Sequence, residues 1–268
     1  MQVIEEDASS CAQQFRKPGK LIRSLRLADD WGQTLSKRNP CELTLRPGLS
    51  LSQASCKVES MPNIDAPRSL CDPANIAARR RMLMHPHVAP LTGYVENLRA
   101  MGRGEVPDFD PRDGGTAAQV LFLFEKPGPM TDPAGRGARA GSGFISRDND
   151  DPTAEATFRF LQEADLPRRL TLTWNVVPWW NGTRRITAEE LRSGVAALHE
   201  LLEMLPDLRA VVLVGRKAAR SARFMETKDL HVIESAHPSP IVRATRPGAW
   251  SEIPGQWSKV RAFLKPAD

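Results

Sequence analysis

No apolar run in the 268-residue chain approaches the roughly 20 residues that a membrane-spanning helix needs, so no transmembrane segment is expected. Cysteine is scarce and lopsided: Cys11, Cys41, Cys56 and Cys71 all stand in the first quarter, and none follows. No two of them have the C-x-x-C spacing of a zinc or iron–sulfur site. Free thiols in a reducing compartment fit this pattern better than a zinc site assembled from scattered ligands. The first ten residues carry Glu5, Glu6 and Asp7 and lack the basic and apolar character of a secretory or transit leader, so a cytoplasmic location is expected. Residues 1 to 73 also lack any sustained helical or strand period, because Pro40, Pro47, Pro62 and Pro67 interrupt each short apolar stretch. They are expected to form a poorly ordered extension ahead of a domain spanning 74–268.

What is present is an ordinary share of hydrophobic residues, 41%, and of charged residues, 26%. The net charge of +5 suits a polyanionic partner without identifying one. From Asp72-Pro73 a helical pattern runs through Ile76, Met82 and Leu83, and a second helix is expected over Val88–Met101. Beyond Gly115, strands and helices alternate. Val120–Phe124 is a continuous apolar run, as expected of a strand covered on both faces. Asp151-Pro152 supplies a cap and a first-turn proline for a helix through Phe158, Phe160 and Leu161. Strands are expected at Leu170–Val177, Ala210–Val214 and His231–Glu234. Thr187 and Glu190 form a capping box ahead of a long amphipathic helix, Gly215 turns the third strand into a short basic helix, and Trp257–Leu264 reads as a closing helix. This order predicts an α/β fold: a central parallel four-stranded sheet flanked by helices on both faces, with ligands binding beyond the carboxyl ends of the strands.

Three strand ends carry chemistry. The first runs into Glu125-Lys126-Pro127-Gly128-Pro129, the second into Asn175-Val176-Val177-Pro178, and the fourth into His237-Pro238-Ser239-Pro240-Ile241. In this order and on these strand ends, over roughly residues 75 to 268, the segments resemble the uracil-DNA glycosylase superfamily. His237-Pro238-Ser239-Pro240 matches the superfamily's second motif residue for residue, and Asn175-Val176-Val177 looks like its uracil-reading strand end. The resemblance implies hydrolysis of the glycosidic bond of a flipped uracil in DNA, by a monomer without metal or cofactor.

Under that resemblance His237 is the neutral donor to the uracil anion that departs. Asn175 reads O4 and N3–H, an amide pattern that cytosine would leave unpaired. Phe144 resembles the aromatic that stacks on the base, and Ile241 the apolar wedge that fills the vacated stack. Pro127, Gly128, Ser239 and Arg243 are expected to contact DNA, Ser239 and Arg243 at its phosphates.

The first motif departs from the best-known branch, which has an aspartate where Lys126 stands. Glu125 is therefore the candidate for placing water or supporting the sugar cation, with Lys126 beside the uracil and Asp132, Asp148 and Asp150 in reserve. Gly128 stands where the strictest uracil enzymes carry a tyrosine that excludes the thymine methyl. Pro178 and Trp179 stand where cluster-bearing branches have cysteine, so no iron–sulfur cluster is expected. A glycosylase for another deaminated base, such as hypoxanthine or xanthine, and a DNA-binding relative without catalysis remain the alternatives.

Overall fold

The computed structural model describes residues 65–135, 140–224 and 230–265. The chain divides into two units, 1–57 and 58–268, and all described residues belong to the second. The expected extension thus lies almost wholly outside the described residues. Its last part, 65–73, does not behave as an extension. Leu70 is 4% exposed, its amide donates to the Asp148 carbonyl at 3.0 Å, and Arg68 pairs with Asp150 and Glu155. The packed unit therefore begins ahead of residue 74.

Two helices come first, α1 (Pro73–Arg81), capped by the Asp72 side chain, and α2 (Ala89–Ala100). A short parallel pair, β1 (Asp108–Phe109) with β3 (Phe144–Ile145), was not visible in the periodicity because each member is two residues long. The main sheet comprises β2 (Val120–Phe124), β4 (Thr171–Asn175), β5 (Ala210–Val214) and β6 (His231–Ser235). Its strands are all parallel, as the alternating pattern predicts, and stand in the order β4-β2-β5-β6.

Alternate residues of these strands bury opposite faces. Leu121, Leu123, Leu172, Trp174, Val211 and Leu213 pack with α2 and with α4 (Ala188–Glu203). Val120, Phe122, Val212 and Val214 pack with α3 (Pro152–Glu163) and with Ile253 and Trp257 of α8 (Ile253–Ser258). The capping box at Thr187 and Glu190 forms as expected. α5 (Arg216–Ala219) follows Gly215, whose φ of 89° is open to glycine at little cost. Two helices were missed as well, α6 (Pro240–Thr245) and α7 (Pro247–Ser251), each too short to show a period. The closing helix starts at Ile253, earlier than expected, because Pro254 sits in its first turn; a 3₁₀ segment over Lys259–Phe263 completes it.

One buried charge network fixes the loop after β3. Arg79, fully buried on α1, pairs with Asp110 and Asp148; Arg168 pairs with Asp65, Asp110, Asp113 and Asp148; Ser146 also donates to Asp110. Burial pushes the Asp110 carboxyl up, but Arg168 and Arg79 outweigh it and hold the group at about 2. Asp113 goes the other way, to about 6, because burial exceeds the pull of Arg147 and Arg168.

Candidate active site

The carboxyl ends of β2, β4 and β6 open into one cavity of about 630 Å³. β2 and β4 end in register, Phe124 beside Asn175, and the chain beyond them stays tied: the Val176 and Val177 amides donate to the Phe124 and Glu125 carbonyls at 2.8 and 3.0 Å. The first strand end and the recognition strand end are thereby held side by side.

Asn175 closes β4 on the cavity wall. The residue is buried, and its side-chain amide, open to the cavity, makes no hydrogen bond to a protein group among the described residues. A buried amide that keeps both donor and acceptor unused is suited to receive them from a ligand.

His237 stands across the cavity, after β6. Its ring meets Phe124 edge-on, with centroids 5.6 Å apart, and its Cβ lies where a Cβ on Gly215 would come within 3.0 Å. Burial lowers the imidazole pKa from its ordinary value; Glu125 opposes the shift, while Lys217 and Arg184 add to it. Burial thus favours the neutral form of the ring. Nδ1 is enclosed without a protein partner among the described residues, whereas Nε2 is the nitrogen left open.

The first-motif residues separate in direction. Glu125 lies on the wall and pairs with the Lys217 ammonium at 3.1 Å. Lys126 borders the cavity, but its ammonium is turned elsewhere. It donates to Asn181 at 2.7 Å, to Glu190 at 2.8 Å and to the Arg185 carbonyl at 3.2 Å, none of which lines the cavity. Its side chain is 2% exposed. The lysine is a strut between the first motif and the start of α4, using the same glutamate that caps that helix. Placing Lys126 against the base is corrected accordingly.

Pro127 and Gly128 line the cavity mouth. A Cβ on Gly128 would meet only the Arg184 guanidinium, at 3.7 Å, so this wall is open. Ser239 lines the cavity and caps α6, its hydroxyl accepting from the Val242 amide. Ile241 stands at the rim, 73% exposed. Arg243 lies apart, over the Trp250 ring in an adjoining groove of about 360 Å³.

Phe144 does not fit its expected place. It is wholly buried in β3 and is absent from the cavity wall, where Phe124 and Ile145 supply the apolar surface. Residues inside so short a strand alternate in direction, and the sequence gives no sign of which one faces the ligand. Asp148 is locked between Arg79 and Arg168, and Asp132 bonds the Ala134 amide away from the cavity; of the reserve carboxylates only Asp150 reaches it. Trp174 and Trp179 pack in the core. Sequence reasoning missed Arg184 and Asp151 as cavity residues. Nothing in the sequence marks Arg184, and Asp151 was recognisable only as a helix cap.

The profile of the Uracil DNA glycosylase superfamily matches residues 113–261. No curated protein matches the chain. Among solved structures, it is similar to mimivirus uracil-DNA glycosylase, with 18% identity over 60% of this chain and 71% of that one, at a TM-score of 0.36. A mimivirus UNG variant in complex with UGI gives 16% identity over 60% and 73%, at 0.35. The UNG of Nitratifractor salsuginis gives 14% over 71% and 98%, at 0.36. The profile match spans more than half of the sequence and includes Glu125, Asn175 and His237, and the chain therefore belongs to the uracil-DNA glycosylase superfamily.

Proposed function

We propose that this protein is a monofunctional DNA glycosylase that flips deoxyuridine out of DNA and hydrolyses its glycosidic bond, leaving an abasic site. The observation that carries the reading is the meeting, in one cavity, of the Asn175 amide, which bonds no described protein group, with the His237 ring and its open Nε2. The amide accepts from N3–H and donates to O4. The imidazole donates from Nε2 to O2, where the leaving base gathers negative charge, and a donor fixed before that charge appears stabilises the transition state most. Glu125, beside His237, offsets the positive charge growing on the sugar. Ile241 at the rim fills the space that the extruded base leaves in the duplex. Ser239 and Arg184 meet the flanking phosphates.

The open wall at Gly128 favours one second reading, a pocket that also takes another deaminated base such as hypoxanthine or xanthine. Oligonucleotides carrying a single uracil, hypoxanthine or xanthine separate the two readings. Alkali-labile cleavage at uracil is expected. Cleavage confined to the purines transfers the assignment to the second reading, and binding without any cleavage defeats both.

A further inference from the structure

Three carboxylates line the cavity, those of Glu125, Asp150 and Asp151. The first faces Lys217 at 3.1 Å and the second faces Arg68 at 3.0 Å. Asp151 forms no ion pair among the described residues. Its two oxygens are used unequally. Oδ1 accepts from the Thr153 and Ala154 amides at 2.8 and 3.0 Å, which caps α3. Oδ2 accepts from no described protein group and is not sealed from the cavity. A helix cap needs one oxygen only, so the other is left over by the fold. An unshared carboxylate oxygen in a part-buried cavity is satisfied by water.

Resting on the glycosylase reading above, we propose that Asp151 is the catalytic carboxylate that orients the attacking water and takes its proton at Oδ2. As the C1′–N1 bond breaks, its electron pair leaves with the uracil. The water oxygen bonds to C1′, one water proton passes to Asp151, and that proton then goes to the uracil anion or to solvent. The two amide bonds at Oδ1 keep the carboxylate from rotating, so little orientational freedom remains to be lost in the step. Burial raises the Asp151 carboxyl above its ordinary range, against the pull of the two amides, Arg68 and Arg184, which makes it the stronger base. Glu125, tied to Lys217, keeps the electrostatic role.

Asp151→Asn tests this directly, because asparagine caps a helix as well as aspartate does. The single-turnover rate on a uracil-containing duplex is expected to fall by about 10²- to 10⁴-fold, the usual worth of general acid–base catalysis, with the DNA affinity unchanged. The acid limb of the rate–pH profile should lose the step that the carboxylate contributes and keep that of His237, whereas a cap acting only on structure leaves the whole limb in place. Should Asp151→Asn fail to fold, Asp151→Ser retains a capping oxygen and answers the same question. Rates within threefold of the parent, or a slow variant with its acid limb intact, overturn the role of Asp151 alone. A parent that excises no uracil overturns the glycosylase reading, and this assignment with it.

Discussion

The loop after β3 and the cavity wall beside it both bury polar groups, but they treat them in opposite ways. In the loop network each of Arg79, Asp110, Asp148 and Arg168 meets two or more partners of opposite charge or strong donors. On the wall, the Asn175 amide, the Nε2 of His237 and one oxygen of Asp151 are open to the cavity and meet none among the described residues. Burying a polar group without a partner costs free energy, and in the network most charges are paired, the Oδ2 of Asp113 and the Nε of Arg147 excepted. Unused groups gathered around one cavity are instead where, on the reading proposed above, a substrate and a water bind. The network holds the loop that carries Asp150 and Asp151; the wall is where the chemistry is proposed to take place.

The largest expected effect breaks the network. Arg79→Met leaves Asp110 and Asp148 without one of their cations, and removing one partner from a buried pair typically costs about 3–5 kcal/mol. Urea unfolding should show a lower midpoint with an unchanged slope. A loss below about 1 kcal/mol would mean that Arg168 alone sustains the network. His237→Ala breaks the other side of the comparison. Its single-turnover rate should drop by about 10²-fold or more with little change in stability or DNA affinity, the scale of losing one preorganised donor. A rate within threefold of the parent would remove His237 from the mechanism.

The contrast also explains what the sequence could and could not tell. Elements with local signals were legible: the Asp72 and Asp151 caps, the Thr187–Glu190 box, and the apolar runs of β2 and β5. So were Asn175 and His237, because the type of residue at a strand end follows the chain. The network was not legible, since its members are far apart, Asp65 and Arg168 by 103 positions, and periodicity carries no information on such pairs. The orientation of a side chain is equally invisible in sequence. Phe144 sits in the right segment but turns inward, and Lys126 looks like a residue at the base until Glu190 and Asn181 are seen to hold it.

Lys126 gives an intermediate effect. Lys126→Met removes a charged donor from Glu190 and Asn181 and should cost about 1–3 kcal/mol in urea unfolding, because Glu190 is left part-buried and short of a partner. Excision should weaken mainly through substrate affinity, as the loop carrying Arg184 loosens. Lys126→Asp sets a second carboxylate against Glu190, so restoring the residue of the best-known branch should bring no gain in rate. A large gain would show that this position faces the base after all.

The smallest effect, and the sharpest, lies where the two regimes meet, at the pair formed by Glu125 and Lys217 beside His237. Burial gives the His237 pKa its largest push, downward; Glu125 opposes that push and Lys217 adds to it. Glu125→Gln should therefore move the imidazole midpoint, followed by NMR, further below its ordinary value, and Lys217→Ala should move it up. The linkage to stability has a definite sign. With its folded pKa depressed, neutral His237 contributes stability that is intact above the ordinary imidazole pKa and is lost as pH falls below it. Glu125→Gln widens that loss toward acid pH and Lys217→Ala narrows it. The excision rate then decides what the carboxylate is for. A strong slowing in Glu125→Gln at a pH where the ring is neutral in both proteins assigns Glu125 to the sugar cation. A parental rate at that pH, together with the shifted midpoint, would leave it only the task of tuning His237.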